Sequence, residues 1–164
     1  MRARVEIRPA NEQDVAFIYA MIVALAEYER EPESVTGTPE LLHTALFGER
    51  PHAEAVIAEL NGDPVGFAVF HGTFSTWHCL PGIWLEDFYV MPEHRRYGIG
   101  EKLFRRVAQI AVERGCSRLT WSALDWNTPA INFYSKMDAE TMDEWTNRRL
   151  SGETLLAVAS GLDS

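Results

Sequence analysis

The chain has little cysteine, no long apolar run and a deficit of positive charge. Its two cysteines, Cys79 and Cys116, match no metal-ligand spacing, so we interpret them as buried or free thiols in a reducing cytoplasm. No apolar stretch reaches the length of a membrane span, and residues 1–6 lack the apolar region of a signal peptide. Lys and Arg number 15 against 24 Asp and Glu. The formal net charge of −9 argues against general nucleic-acid binding, which needs a basic surface.

The remaining composition is ordinary for a globular protein. With 164 residues, 46% of them hydrophobic and 24% charged, one compact domain spanning residues 1–164 is expected. The histidines form no ligand pattern, so we expect no metal site. They are His43, His52, His71, His78 and His94. The acidic charge would suit a cationic small substrate, although such charge more often serves solubility alone.

Residues 85–104 are the stretch around which the chain is organised. Residues 85–90 are rich in aromatic and β-branched side chains and predict a strand, while apolar residues spaced three and four apart over 103–111 predict a helix. Gly98 and Gly100 lie between them and let an anion approach the unpaired N–H groups at the helix start. Such a turn can hold a phosphate or pyrophosphate. Taken alone, however, the glycine pair favours a simple strand-to-helix turn.

The other elements alternate in a recognisable order. We predict strands at residues 5–8, 53–60, 65–73, 83–90, 118–122, 140–144 and 145–150. We predict helices after Asn11 to about residue 30, after Thr38, from the glycine turn to Gly115, at 130–136 and at 151–159. Asn61-Gly62 is the preferred hairpin turn. Three consecutive strands followed by strand–helix–strand units imply a mixed sheet with helices on both faces.

The glycine turn and the element order together resemble a known family. Arg95, Gly98 and Gly100 resemble the pyrophosphate loop Arg/Gln-x-x-Gly-x-Gly/Ala of the GNAT superfamily of N-acetyltransferases. More closely, residues 25–29, 85–91, 95–100 and 126–134 are similar to the diamine (spermidine/spermine) and thialysine acetyltransferase branch. The resemblance covers nearly the whole chain. It implies an α/β (α+β) fold with a mixed, mostly antiparallel central sheet of about six to seven strands and helices on both faces.

The same resemblance implies a role for each matching residue, with acetyl-CoA as co-substrate. The backbone of Phe88, Tyr89 and Val90 would bind the pantetheine arm. The pyrophosphate would be lined by Arg95, Arg96, Tyr97, Gly98, Ile99, Gly100 and Glu101. The cofactor would be flanked by Asn127, Thr128, Pro129, Ala130 and Tyr134. Glu86 would contact the amine and relay its proton, Tyr28 and Glu29 would contact the acceptor, and Tyr134 would be the general acid.

Elementary chemistry agrees with these roles. A protonated alkylamine must lose a proton before it attacks a thioester, and a carboxylate such as Glu86 can accept it directly or through water. The leaving thiolate needs a proton, which the Tyr134 hydroxyl can donate. Each residue also has a simpler explanation, Glu86 as a structural carboxylate and Tyr134 as a core aromatic. Asp87 is interpreted as structural, because neighbouring residues of a strand face opposite sides.

One position departs from the family pattern. Asp138 stands where the family usually has a glycine after the Phe-Tyr pair. Because Asp tolerates a left-handed backbone, we expect only a small local change there.

The sequence therefore predicts a cytoplasmic enzyme that transfers acetyl from acetyl-CoA to a primary amine of a small cationic molecule. Direct attack in a ternary complex is expected, with a polyamine or thialysine-like acceptor. One alternative is a GNAT enzyme for another amine, such as an amino acid, an antibiotic or a protein N-terminus. The other is a non-catalytic acyl-CoA sensor. The resemblance also implies a homodimer, and no nucleic-acid or membrane partner is expected.

Overall fold

The structure is a computed structural model that describes residues 3–95 and 97–161. The chain forms two compact units, Met1–Leu124 and Asp125–Ser164. The first unit contains the strands β1 (Val5–Pro9), β2 (Glu54–Leu60), β3 (Asp63–Ser75), β4 (Leu80–Val90) and β5 (Leu119–Thr120). It also contains the helices α1 (Val15–Tyr28), α2 (Pro39–Phe47) and α3 (Ile99–Glu113). The second unit contains the helices α4 (Thr128–Ser135) and α5 (Gly152–Ala159).

The strands of the first unit form one sheet in the order β1-β2-β3-β4-β5. Neighbouring strands run antiparallel from β1 to β4, and β5 runs parallel to β4. The prediction of a mixed, mostly antiparallel α/β sheet is confirmed. The predicted number of six to seven strands is wrong for the described residues, which form five.

The difference lies in the last predicted pair of strands. Residues 140–150 are exposed and have no regular structure apart from a turn, in which the Trp145 N–H donates to the Met142 carbonyl at 3.2 Å. A strand exists only through hydrogen bonds to a neighbouring strand, and the local hydrophobic pattern does not show whether such a neighbour is reached. By contrast, the helix predicted at 151–159 is present as α5.

Helices cover both faces of the sheet, as predicted. Ile18 of α1 packs on the face that carries Phe67 and Tyr89. Phe88, which precedes Tyr89 on β4, contacts Phe104 of α3 with ring centroids 5.7 Å apart. Because successive strand residues face opposite sides, α1 and α3 lie on opposite faces. The C-terminal end of β4 therefore lies between α1 and α3.

A polar network ties the start of α1 to the sheet. Asn11 and Asp14 form a capping box, in which Asn11 Oδ1 accepts from Gln13 N–H and Asp14 Oδ2 accepts from Asn11 N–H. The Arg8 guanidinium of β1 donates to both oxygens of Asp14 at 2.7 and 2.9 Å. Its Nε also donates to Glu59 of β2 at 2.6 Å. This pairing with Arg8 lowers the pKa of Asp14 from its ordinary value.

The two hairpins differ in how well their sequence predicts them. Asn61 and Gly62 have φ angles of 54° and 91°, as the predicted tight turn between β2 and β3 requires. The predicted loop at 73–82 is shorter in the structure, because β3 and β4 stay paired as far as Ser75 and Leu80. Phe74 and Leu80 are exposed at this end, so the burial pattern that marks a strand is lost there.

Candidate active site

The centre of the candidate site is a β-bulge in β4. Val69 of β3 lies opposite Asp87, whereas the next residue, Phe70, lies opposite Leu85. Glu86 is therefore the extra residue on β4, with no partner of its own on β3. Bulges of this kind interrupt the alternation of side chains and redirect them, often beside active sites.

The bulge turns Glu86 towards the face that carries α1. His71 and Val69 lie two residues apart on β3 and share a face, so their partners Trp84 and Asp87 share it too. On that face the indole Nε1–H of Trp84 donates to Glu86 Oε2 at 2.9 Å. The imidazole Nε2 of His71 lies 4.0 Å from the same oxygen. Glu86 and Asp87 thus lie on one face, and the reason for regarding Asp87 as structural does not hold.

A cleft of about 160 Å³ opens beside this part of β4. It is lined by Ile22, Leu25, Ala26, Glu29, Glu31, Ser34 and Asp87. The C-terminal half of α1 supplies the apolar residues, and three carboxylates surround them, from the C-cap of α1, the following turn and β4. No residue in 3–95 or 97–161 donates a hydrogen bond to the carboxylates of Glu29 or Asp87. The cleft therefore combines an apolar wall with unpaired negative charge.

Burial and mutual repulsion change how these carboxylates ionise. Burial, with a smaller contribution from the negative charges of Glu86 and Glu29, raises the pKa of Asp87 from its ordinary value of 3.8 to about 6. Burial also raises the pKa of Glu29. Asp87 is thus ionised at neutral pH against an unfavourable environment. A bound cation would relieve that environment, so the cleft favours a positively charged ligand.

The predicted substrate residue Tyr28 and the predicted cofactor residue Arg95 lie together. The guanidinium carbon of Arg95 is 5.8 Å from the ring centroid of Tyr28 and 5.5 Å from that of Tyr89. Its Nε donates to the Val90 carbonyl at 2.9 Å. Arg95 thus connects the end of α1 to the end of β4. A role at a pyrophosphate remains a prediction for this residue.

The edge of β4 next to β5 is paired over a short length. Among the described residues, the ladder between the two strands comprises Ile83 with Leu119 and Trp84 with Thr120. It ends before Phe88, Tyr89 and Val90, the residues expected to bind a pantetheine arm. An extended ligand that takes the place of the ladder fits this arrangement, because strand edges bind extended chains through backbone hydrogen bonds.

The glycine turn has the geometry that an anion site at a helix start needs. Gly98 is the N-cap of α3 with φ of 65°, and its carbonyl accepts the first helical hydrogen bond from Lys102 N–H at 3.1 Å. The N–H groups of Ile99, Gly100 and Glu101 therefore have no carbonyl partner within the helix. No heavy atom lies within 4 Å of a Cβ built at Gly98, so the structure leaves room for a ligand beside the backbone there.

The other residues predicted for the loop differ in their environment. Tyr97 is exposed, and Ile99 is buried in the core. The guanidinium of Arg105 donates a hydrogen bond to Glu101 Oε1 at 2.7 Å. Arg96 lies outside the described residues. The space at Gly98 and the backbone donors after it fit a pyrophosphate.

The remaining predicted residues lie on α4 in the second unit. Asn127 is the N-cap of this helix, and its carbonyl accepts from the Ile131 N–H at 3.0 Å. Pro129 lies in the first turn, so the helix begins two residues before the predicted start at residue 130. Tyr134 is half-buried in the last turn, where its ring meets that of Phe133 edge-on at 5.6 Å. Further along, Asp138 has φ of 56°, which confirms the expected left-handed backbone at this position.

Metal and membrane features are absent from the described part of the chain. Within residues 3–95 and 97–161, no group of three or more His, Cys, Asp or Glu side chains is arranged to hold a metal ion. No helix in those ranges has the length and apolar character needed to cross a membrane.

Solved structures share this fold. An integron cassette protein from the mobile metagenome of V. cholerae superimposes with a TM-score of 0.78, covers 94% of this chain and 97% of its own, and is 24% identical. An aminoglycoside acetyltransferase from an uncultured soil metagenomic sample superimposes with a TM-score of 0.73 at 19% identity, and covers 90% of this chain and 97% of its own. At these identities the comparison shows the fold alone.

The chain belongs to the Acetyltransferase (GNAT) family, whose sequence profile matches residues 18–139. A thialysine N-epsilon-acetyltransferase of Sus scrofa is 38% identical over 96% of this chain and 98% of its own length. A spermidine/spermine N(1)-acetyltransferase-like protein 1 of Homo sapiens is 30% identical over 94% of this chain and 24% of its own length. The predicted family and branch are confirmed, and the chain is an acetyltransferase enzyme. The alternative of a non-catalytic sensor is set aside.

Three residues of the site were not expected from the sequence. Asp87 was interpreted as structural, core packing was favoured over a wall of the acceptor site for Trp84, and His71 was assigned no role. A signal for Asp87 was present in the adjacent Glu-Asp pair, which is unusual within an apolar strand. For His71 the local pattern contains no such signal, because only strand pairing brings it to Glu86. Trp84 lies two residues from Glu86 on the same strand, where side chains share a face.

Proposed function

We propose that this enzyme transfers the acetyl group of acetyl-CoA to a primary amine of a small cationic molecule of the thialysine or diamine type. The observation that carries the proposal is the cleft in which an apolar wall from α1 ends at the unpaired carboxylates of Glu29 and Asp87, beside Glu86. Acetyl-CoA as the donor is supported by the glycine turn, by the edge of β4 and by membership of the family.

The cleft supports a particular shape of acceptor. An aliphatic or thioether chain would pack on Ile22, Leu25 and Ala26, and an ammonium group would pair with the carboxylates. Thialysine and the polyamines have both features, and the names of the relatives agree with this choice. An uncharged amine would leave Asp87 ionised in a buried position without a counterion, so it would bind less well.

The chemistry proceeds by direct attack in a ternary complex. Glu86, directly or through one water, takes a proton from the ammonium group, and the freed nitrogen lone pair forms the C–N bond to the thioester carbonyl carbon. The C–S bond then breaks, and the thiolate of CoA takes a proton from the Tyr134 hydroxyl. The nitrogen, which carries a positive charge after the attack, loses its second proton to water, and Tyr134 takes up a proton from solvent to restore its hydroxyl. Glu86 is suited to the first step because the Trp84 indole orients one of its oxygens while the side chain stays accessible.

Acetyl-CoA supplies the activated acetyl group, and residues of this chain would hold it. The backbone of Phe88, Tyr89 and Val90 would bind the pantetheine arm, and the N–H groups that follow Gly98 would bind the pyrophosphate. The residues of α4 from Thr128 to Ala130, with Asn127 before them, would flank the cofactor.

Further parts of the proposal concern the whole protein. We propose one acetyltransferase domain over residues 1–164, which is supported by a family match that extends from the first compact unit into the second. A homodimer in the cytoplasm is proposed from the family resemblance. Small amines, rather than nucleic acids or membranes, are the proposed partners.

The test is a thiol-release assay with acetyl-CoA and a panel of amines. The panel contains thialysine, lysine, ornithine, spermidine, spermine, putrescine, an aminoglycoside and a short peptide. We expect the highest kcat/KM for one of the small flexible cations. A preference for the aminoglycoside or the peptide would overturn the assignment of the acceptor, and the absence of turnover with every amine would overturn the assignment of the reaction.

A pair of matched variants links the acceptor to the cleft. Glu29→Gln removes one carboxylate from the lining and should raise the KM of the preferred amine, while the KM of acetyl-CoA stays the same. Glu40→Gln makes the same change at an exposed position of α2 outside the lining. Equal KM values for the amine in both variants would contradict recognition by the cleft.

A further inference from the structure

His71 lies beside Glu86, and the reaction as derived so far does not use it. It occupies the β3 position opposite Trp84, and its Nε2 is 4.0 Å from Glu86 Oε2. Both side chains remain accessible to solvent, with 40% of His71 and 59% of Glu86 exposed. A titratable group thus lies beside the proposed base, and both are in contact with solvent.

A backbone carbonyl orients the imidazole. His71 Nδ1 lies 3.2 Å from the carbonyl oxygen of Gly72. A carbonyl can only accept a hydrogen bond, so Nδ1 carries the hydrogen in the neutral ring. Nε2 then has a free lone pair, and it is this nitrogen that faces Glu86. The ring is therefore set to accept a proton on the side of the carboxylate.

Glu86 must give up a proton in every turnover, and His71 is a nearby group that can accept it. Once it has taken the proton of the ammonium group, the carboxyl must lose that proton before the next amine can be deprotonated. The Trp84 indole donates to Oε2 at 2.9 Å and holds this oxygen on the side of His71. The distance of 4.0 Å from Oε2 to His71 exceeds a direct hydrogen bond, and one bridging water or a small side-chain rotation completes the path.

We propose that His71 is a positioning residue that receives the proton from Glu86 and passes it to solvent. The inference rests on the proposed function, in which Glu86 is the base. The O–H bond of the Glu86 carboxyl breaks, a bond forms from the proton to Nε2, and the imidazolium then releases a proton to water or buffer. No other reactant is consumed. The charged groups that act on this path are Glu86 and its neighbour Asp87, both on β4.

The first test compares His71→Gln and His71→Ala with the matched control His78→Gln. His78 is an exposed histidine in the turn between β3 and β4. We expect kcat to fall about tenfold in both His71 variants with the KM of acetyl-CoA unchanged, since relays of this kind contribute less than the general base itself. His78→Gln should keep the wild-type kcat.

Chemical rescue separates proton transfer from a structural role. Imidazole added to His71→Ala should restore a large part of kcat, and it should have no effect on wild-type enzyme or on Glu86→Gln. A wild-type kcat in His71→Gln, or a loss in His71→Ala that imidazole does not restore, would overturn the proposal. If Glu86→Gln itself keeps full activity, the assignment of the base fails instead.

A second measurement needs no substrate. Nitrogen-resolved NMR of the imidazole in the resting protein should show the neutral tautomer with hydrogen on Nδ1. The opposite tautomer would place a hydrogen on the nitrogen that faces Glu86, and this result would also overturn the proposal.

Discussion

Replacing Asp87 by Asn should make the protein more stable and a poorer enzyme. In the folded state the pKa of Asp87 is raised from 3.8 to about 6 by burial and by the nearby carboxylates. A shift of roughly two units at 1.36 kcal/mol per unit means that ionised Asp87 destabilises the fold by at most about 3 kcal/mol at pH 7. Asn has nearly the same shape and no charge, so Asp87→Asn removes this penalty.

The sign of the effect gives the prediction its pH dependence. Because the folded state holds the proton more tightly, the stability of the wild type falls as the pH rises from about 4 to about 6. Below pH 4 the carboxyl is protonated in both states, and wild type and variant should have equal free energies of unfolding. Above pH 6 the variant should be more stable by a constant amount.

Denaturant unfolding at pH values from 4 to 8 measures this difference, and Asp63→Asn is the control. Asp63 is an exposed carboxylate at the start of β3, where the same substitution should change stability by less than about 0.5 kcal/mol. In the thiol-release assay, Asp87→Asn should raise the KM of the cationic amine about tenfold, as expected for loss of a charged hydrogen bond. A stability difference that is independent of pH, or a destabilised variant, would refute the reasoning.

The remaining predictions concern the leaving group, the glycine turn and the start of α1. Tyr134→Phe should lower kcat about 100-fold with little change in either KM, as measured by thiol release; an unchanged kcat would exclude Tyr134 as the general acid. Gly98→Val should raise the KM of acetyl-CoA and destabilise the protein by about 1–2 kcal/mol because φ is 65°, whereas Gly98→Asn should be milder in both respects; equal effects would argue against backbone strain. Asp14→Asn should destabilise by about 2 kcal/mol at pH 7 in thermal unfolding, since it removes the charged hydrogen bonds to Arg8 and leaves Glu59 as the remaining acidic partner of Arg8. The two stability curves should converge below pH 3.8, where wild-type Asp14 loses its charge, and a constant gap would contradict the role of the ion pair.

Much of the local structure was determined by the sequence alone. Asn11 and Thr38 mark the starts of their helical segments, since each side chain accepts a hydrogen bond from a backbone N–H that the helix leaves unpaired. Asn61-Gly62 marks the hairpin because few other residues adopt its positive φ angles. The strand, glycine turn and helix around Gly98 were also predictable, because their signals lie in consecutive residues. In these cases a few neighbouring residues contain the whole physical cause.

The arrangement of the candidate acceptor site was decided by the tertiary structure. The bulge at Glu86 arises from the pairing of β4 with β3, and that register depends on residues 15 or more positions away in the chain. The pKa of Asp87 depends on burial and on Glu29, which α1 brings from a distant part of the sequence. His71 acquires its position beside Glu86 in the same way. The sequence could name the residues with chemical potential, but only strand pairing and helix packing decide which of them meet, because distances in space do not follow distances along the chain.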